Sequence, residues 1–589
     1  MSINRLSRDI CGHKVIFLMV LCLFGLCLSM PVCAQKKHTK SDEKVYLEHA
    51  DELKYDQSQM YGVQIVKGKV RFRYQDTQLT CDSAYFNQGQ NTVQAFGHVY
   101  MRKGKETTLT CDRAFYDGRT ELFQGRQNVV LTQPGRSLHC DSLDYNSGTE
   151  YANFFGGNGG RLVSGNSSVV SKRGEYYVDQ HEANFYEDVV MKSPKYTIHT
   201  DNLNYNTETE EAHITGPSVI TGRNGEIVHT EDGYYYNKTD KMELIGHSTI
   251  TSKERDVEGD FLKYNNSTGE SEGYGSVKIV DKLNNRVITG DSLFYNEKAR
   301  VGRGKGNVLY LDNKNQNSLF ADYVNYTDSF AIAYGRALAK EFSQKDTLFV
   351  HSDTIRMHAF HLNTDSVYRE VYCYHNVRAY RTDIQSVCGL LVFNSKDSCM
   401  TMHQDPIVWN ENRQLIGDSI KAYMNDSTIR EAYVFGQALS IEKMEDEKHY
   451  NQLSSKEMRA FFEEGNIRRS EAIGNVLSVY YPEDDKDSTL IGLNYLETDT
   501  MRMYFSPERK LERIWASKSN ATTYPMTQIP YGKDKLPNFA WFDYIRPLDK
   551  YDLYRRVGKN DGKNLKQTTA VPPQQHIENT IFSDKPDRE

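Results

Sequence analysis

Between Asp51 and Asp499 the chain repeats one order of apolar and polar positions about every thirty residues. An aliphatic residue, any residue, a small residue, an acid, any residue, Leu or Ala, any residue, and Tyr or Phe follow one another. The order reads LTCDSAYF around Asp82, LTCDRAFY around Asp112 and LHCDSLDY around Asp141. It returns as IHTDNLNY at Asp201, VEGDFLKY at Asp260, ITGDSLFY at Asp291, LFADYVNY at Asp322 and VHSDTIRM at Asp353. Glu231 replaces the Asp in VHTEDGYY, and looser copies centre on Asp51, Arg173, Gly389, Asp418, Glu457 and Asp499. Self-similarity at this period marks an array of small units, each stacked on its neighbours.

Within one copy the aliphatic and small slots share a parity, so both face the same side of a strand. The aliphatic slot makes a ladder of Leu79, Leu109, Leu138, Val170, Ile198, Val228, Val257, Ile288, Leu319, Val350 and Leu415. After the acid the apolar positions change parity, as in Ala114 and Tyr116 or Leu293 and Tyr295. Such a switch in mid-strand calls for a bulge or a corner. Asp82, Asp112, Asp141, Asp201, Asp260, Asp291, Asp322 and Asp353 are therefore predicted to mark a structural bend, bonding backbone N–H groups or facing water.

Each copy closes on turn residues, such as Tyr116-Asp117-Gly118 or Tyr145-Asn146-Ser147-Gly148. A second strand follows, QAFGHVYM or MELIGHSTI, and then a second turn such as Pro134-Gly135 or Asn224-Gly225. Two tight turns per repeat predict hairpins and antiparallel pairing. The expected fold is all-β: a folded antiparallel meander of about fifteen two-strand repeats, with an apolar interior between two facing sheets. Such an array has two raw sheet edges, which need a cap or a partner.

Composition agrees with this picture. The 589 residues include 40 Tyr and only 14 Pro, and long helical periodicity is absent. A net charge of -7 provides no basic face for nucleic acid. Arg5, Arg8 and Lys14 precede an apolar run from Val15 to Leu28 and a small-residue exit at Cys33-Ala34, which reads as a signal peptide over 1–34 with cleavage after Ala34. A lipoprotein acylated on Cys33 is the alternative, disfavoured by the bulk of Val32. Beyond the signal peptide six cysteines remain, three of which, Cys81, Cys111 and Cys140, fill the small slot of successive copies. They read as small core residues, with a disulfide between neighbouring rungs left open by the oxidising compartment.

The exported, repeated "aliphatic-x-small-Asp-x-Leu/Ala-x-Tyr" strand, followed by "apolar-x-Gly-x-Val", resembles the organic-solvent-tolerance (OstA) superfamily over about residues 45–515. That superfamily includes periplasmic LptA and the periplasmic domain of LptD. The resemblance implies a β-jellyroll open along one side, whose groove carries the acyl chains of lipopolysaccharide. It implies a periplasmic transport protein that needs no cofactor. Its partners would be lipopolysaccharide or a related glycolipid and other Lpt-type jellyrolls, including an inner-membrane anchor and an outer-membrane translocon, joined by edge-strand pairing. The chain departs from single bridge proteins in its length and shows no C-terminal outer-membrane barrel. On this reading the ladder lines the groove; the alternative is that the two sheets close on it as a dry core.

The organisation expected is the array over 35–440, an irregular continuation over 441–520, a Pro- and aromatic-rich segment over 521–558, and a disordered polar tail over 559–589. The Glu- and Lys-rich stretch 441–471 suggests an insertion or a short helix. Pro525, Pro530, Pro537 and Pro547 bracket Trp541, Phe542 and Tyr544, suggesting either a cap over the last sheet edge or a docking strand. Catalytic signals are poor. His358 and His361 lack a carboxylate ligand pattern, and Gly302-Arg303-Gly304-Lys305-Gly306 precedes no helix. Two further function classes remain: a surface β-solenoid that binds or cleaves polysaccharide, and a purely structural spacer.

Overall fold

The computed structural model describes residues 44–55, 62–425, 428–484 and 489–558. The expected signal peptide and the polar tail lie outside the described residues. Strand follows strand from Val63–Tyr74 to Gly492–Phe505, and all the pairings are antiparallel. The hairpin pairing excludes a parallel solenoid. By its contacts the chain divides into two units, one of residues 1–134 with 142–149 and the other of 135–141 with 150–589.

The strand Thr77–Asn87 shows why the repeated order folds as it does. Thr77, Leu79 and Cys81 are buried, then Ala84 and Phe86, so the buried parity switches across Asp82 and Ser83. The register adds what the pattern does not reveal. Thr80 pairs with Tyr100 and Ser83 with Phe96, so the extra residue belongs to the neighbouring strand, Thr92–Lys103. There Gly97 and His98 are both left-handed, with φ of +73° and +44°. The same left-handed pair recurs at Gly68-Lys69, Gly275-Ser276, Gly306-Asn307, Gly335-Arg336 and Gly436-Gln437. Every strand of a hairpin thus bends at one elbow, which separates a first arm, carrying the aliphatic ladder, from a second arm, carrying the Tyr or Phe slot.

Within each unit the two arms face one another. Tyr74 at the end of a first arm meets Tyr116 of a second arm edge-on, with ring centres 6.0 Å apart. In the second unit Tyr196 meets Tyr235 in the same way at 5.3 Å.

Three expectations are corrected by the structure. Val170 does not belong to the ladder: it is 39% exposed, whereas Val169 is 1% exposed. Ser171 fills the small slot, so Lys172 takes the acid position and not Arg173. Residues 441–471 hold no helix. They contain the end of Thr428–Lys443, the strand Tyr450–Glu463 and the start of Asn466–Tyr480. The left-handed Gly474 stands against Lys456, so the acid slot of this rung is filled by Lys456 and not Glu457.

The Pro- and aromatic-rich segment does not fold over the last edge. After Pro525 it runs back across the outer face of the first arms as a strap, opposite to the chain order of the rungs beneath it. Buried Gln452 donates to the Asp534 carbonyl and accepts from the Leu536 N–H, both at 2.8 Å. Buried Gln414 does the same with the Ala540 carbonyl (2.7 Å) and the Phe542 N–H (2.8 Å). Buried Gln385 accepts from Arg546 Nε at 2.8 Å. All three glutamines lie four residues before the acid slot of their rungs. Arg378 donates to the Ile545 carbonyl at 3.0 Å and pairs with Asp552 at 3.4 Å. Tyr554 then packs on His351, and Arg556 reaches Asp353. Leu536 packs with Leu439, Ile441 and Val479, and Ile545 with Ile407 and Trp409, all outward-facing residues of the rungs crossed. Proline keeps the strap out of the ladder, because it has no N–H to donate.

Both terminal edges carry apolar side chains. Tyr46–His49 and Glu52–Tyr55 pair only with Val63–Tyr74 among the described residues, leaving Tyr46, Leu53 and Tyr55 exposed. Among the described residues Leu511–Ser517 pairs only with Gly492–Phe505, leaving Leu511, Ile514 and Trp515 exposed.

Candidate functional site: an interior closed in one stretch and open in another

The ladder faces inward throughout, yet its burial changes along the chain. Leu79, Leu109, Leu138, Ile198 and Val228 are buried, none more than 4% exposed. Val257, Ile288, Leu319, Val350 and Leu415 are only partly buried. The Tyr slot of the opposite arm changes at the same place. Tyr116, Tyr145, Tyr176, Tyr205 and Tyr235 are buried; Tyr264 and Tyr295 are half-buried and Tyr326 is 37% exposed.

Bonds across the mouth between the arm ends explain the closed stretch. In the first unit the Val45 N–H donates to Asn91 at 2.6 Å, and Lys103 reaches the Ser147 carbonyl. In the second, Arg136 meets His181 at 2.7 Å, Ser164 donates to the Thr207 carbonyl at 3.4 Å, and Ser193 to Tyr235 at 3.2 Å. Lys195 with Asp240 is the last of this series. Burial in this dry interior pushes the Tyr205 phenol up to about 12.

Beyond Asp240 the second arm loses bulk. The row that carries Phe154, Phe185, Ile214 and Leu244 in the second unit carries Gly273 and Gly304 farther on. The fully buried core then retreats to the elbow. Leu262 packs directly over Gly259, and Val277 over Gly273, where an added Cβ would stand 2.9 Å from each side chain. Charged pairs of the first arm line the rim: Arg286 bonds Asp312 at 3.2 Å, and Lys282 bonds Asp256 at 2.6 Å. Asn315 and Tyr310 also donate to Asp312, at 2.9 and 3.1 Å, which together with Arg286 outweigh burial and hold its carboxyl down to about 2. The result is a trough walled by Val257, Ile279, Ile288 and Leu319 on one side and Tyr264, Tyr295 and Tyr326 on the other. Such a surface can shield an alkyl chain from water at about 0.8 kcal/mol per methylene.

The eight bend aspartates do not converge. Within each unit they follow the elbow two or four strands apart, about 10 Å for every two strands, and none is buried. Asp82 meets His98 at 2.8 Å, while Asn128 and Asn158 donate to Asp112 and Asp141 at 2.7 and 2.8 Å. Asp260 and Asp291 lie against Gly275 and Gly306, and Asp201 stands at the same point of its strand. Arg336 bonds Asp322, and Asn376 donates to Asp353 at 2.7 Å. Among the described residues no disulfide joins the six buried cysteines. Burial pushes the Cys81 thiol up to about 12 and that of Cys111 to about 11. Among the described residues no three His, Cys, Asp or Glu side chains converge as metal ligands would.

Residues 42–201 match the family model described as OstA-like protein. Residues 153–253 match the model described as lipopolysaccharide-assembly, LptC-related. Over that stretch the chain is OstA/Lpt-like in sequence. Among solved structures, the chain is similar to LptH of Pseudomonas aeruginosa, the LptA-homologous periplasmic component of its lipopolysaccharide transport device. That likeness has 13% identity and a TM-score of 0.17, and covers 20% of this chain and 82% of that one. No curated protein matches.

Proposed function

We propose that the chain is a non-enzymatic periplasmic component of lipopolysaccharide transport and outer-membrane assembly. It holds acyl chains of an amphipathic glycolipid in the trough and bridges to partner jellyrolls through its terminal edge strands. The observation that carries this reading is the change of burial within one slot: the same ladder and the same tyrosines are dry through Val228 and Tyr235, and open from Val257 and Tyr264 onward. A spacer has no need of an opened apolar interior. The OstA-like and LptC-related sequence matches support the lipopolysaccharide class, and the terminal edge strands present exposed apolar side chains, Tyr46 and Leu53 at one edge and Ile514 and Trp515 at the other, to partners.

The test is glycolipid retained through gentle purification from a lipopolysaccharide-producing host, measured by mass spectrometry. The parent should carry lipid in stoichiometric amount, and a folded Ile288→Asp, Leu319→Asp variant should lose it. A folded parent that neither retains nor takes up added lipopolysaccharide contradicts the proposal.

A further inference from the structure

The strap covers only part of a longer apolar surface. On the outer face of the first arms, cross-strand neighbours form a continuous track. Val280 pairs with Val287 and Val287 with Leu311; Leu309 pairs with Phe320 and Phe320 with Leu338. Leu338 pairs with His351 and His351 with Arg378, where the strap takes over. From there the track continues under the strap through Ile407, Leu439 and Ile441, all buried. The uncovered part is also aliphatic and aromatic, but its side chains remain partly exposed. On earlier rungs the same outward positions are mixed, Thr197, His199, Thr221 and Thr249 alternating with Val219 and Ile227.

We infer that the uncovered track from Val280 to Leu338 is a docking surface for an extended polypeptide segment of a partner protein, carrying aliphatic and aromatic anchors as the strap does. Two observations favour a peptide. The track is continuous with a surface already covered by an extended segment. That segment crosses the strands by setting Leu536, Phe542, Ile545 and Leu553 onto successive rungs. Apolar patches of this kind, rimmed by polar residues such as Lys278 and Lys340, are where soluble proteins meet partners.

The probe is a fluorescent synthetic peptide spanning Pro530–Val557, titrated into the full chain with its own strap in place. Saturable binding is expected, weakened about tenfold or more by Leu309→Asp or by the milder Val287→Thr. Thr221→Asp, on the same face of the closed stretch, should leave it unchanged. Absence of saturable binding up to about 100 μM peptide, or equal binding by the Leu309 and Val287 variants, overturns the inference. A dimer in sedimentation that Leu309→Asp abolishes overturns it in favour of a second copy. Binding that appears only when the chain is ended at Gly558 overturns it in favour of the chain's own tail.

Discussion

The carboxylate of Asp291 lies so close over Gly306 that a Cβ built on the glycine would stand 2.1 Å from Oδ2. Gly306 is also left-handed, at φ +74°. The same acid-over-glycine contact recurs at Asp51 and Gly68, Asp82 and Gly97, Asp260 and Gly275, and Asp418 and Gly436. It explains why acid and glycine recur in step: the glycine makes the extra residue of the elbow possible, and the acid closes over it. Gly306→Ala should cost about 1–3 kcal/mol locally, from the left-handed backbone and the displaced carboxylate. Asp291→Ala should cost less, and the double variant should recover part of the loss. Hydrogen exchange over 286–312 reads all three, since an array need not unfold in one step.

Closed and open rungs should respond differently to the same truncation. Leu109→Ala removes a fully buried side chain and should destabilise its rungs by about 2–5 kcal/mol. Ile288→Ala, at a partly exposed position of the same ladder, should cost about 1 kcal/mol. Local exchange protection around each substitution distinguishes them.

Among the bonds that hold the strap, buried Asp552 joins Arg378 of the rung beneath at 3.4 Å and Arg555 of the strap itself at 2.9 Å. Burial lowers Arg378 to about 10, against the charge of Asp552, and raises Asp552, against the charges of Arg555 and Arg378. Asp552→Asn leaves the Arg378 charge uncompensated and should weaken strap docking by about 3–5 kcal/mol. Replacing both with apolar residues should restore much of it. The readout is exchange in Tyr368–Tyr380 and Ile384–Asn394 beneath the strap.

The rim of the trough should be sensitive to acid over a defined range. Asp312 is held at about 2 against an ordinary value of 3.8. A depressed carboxyl contributes stability that is full above the ordinary value and is lost as pH falls through the folded one. The turn between Val301–Asp312 and Asn317–Tyr326 should therefore loosen between pH 3.8 and about 2. Asp312→Asn should remove that pH dependence in exchange measured across this range.

The thiols should be inert in the folded chain. A Cys81 thiol held near 12 by burial stays protonated at neutral pH, and the thiolate is the reactive form. Cys81 and Cys111 should label with a disulfide reagent only after denaturation; rapid labelling of the native protein would contradict the buried placement.

Much of the fold is legible in the chain because parity is a strong constraint. Leu79, Cys81, Ala84 and Phe86 cannot all be buried unless the strand turns over between them, which locates the elbow. The parity argument does not show which strand holds the extra residue; the left-handed Gly97-His98 pair does. It also misplaces Val170, because a Lys at the acid position makes the neighbouring Arg173 look equally good. The strap's glutamines carry no sequence signal. Gln385, Gln414 and Gln452 have outward parity and read as solvated until the segment that covers them is seen. The open stretch is equally silent in the ladder, since Ile, Val and Tyr serve both a dry core and a trough. The readable difference is in the second arm, where Gly273 and Gly304 replace the bulk of Phe154, Phe185, Ile214 and Leu244.

The most direct test of an interior that is closed in one stretch and open in another is site-resolved photo-crosslinking to lipopolysaccharide. A benzophenone side chain is placed singly at Leu109, Tyr205, Ile288 and Tyr326 of the full chain. The account predicts lipid adducts at Ile288 and Tyr326 and none at Leu109 or Tyr205. Adducts at all four positions alike, or at the buried pair alone, would contradict it.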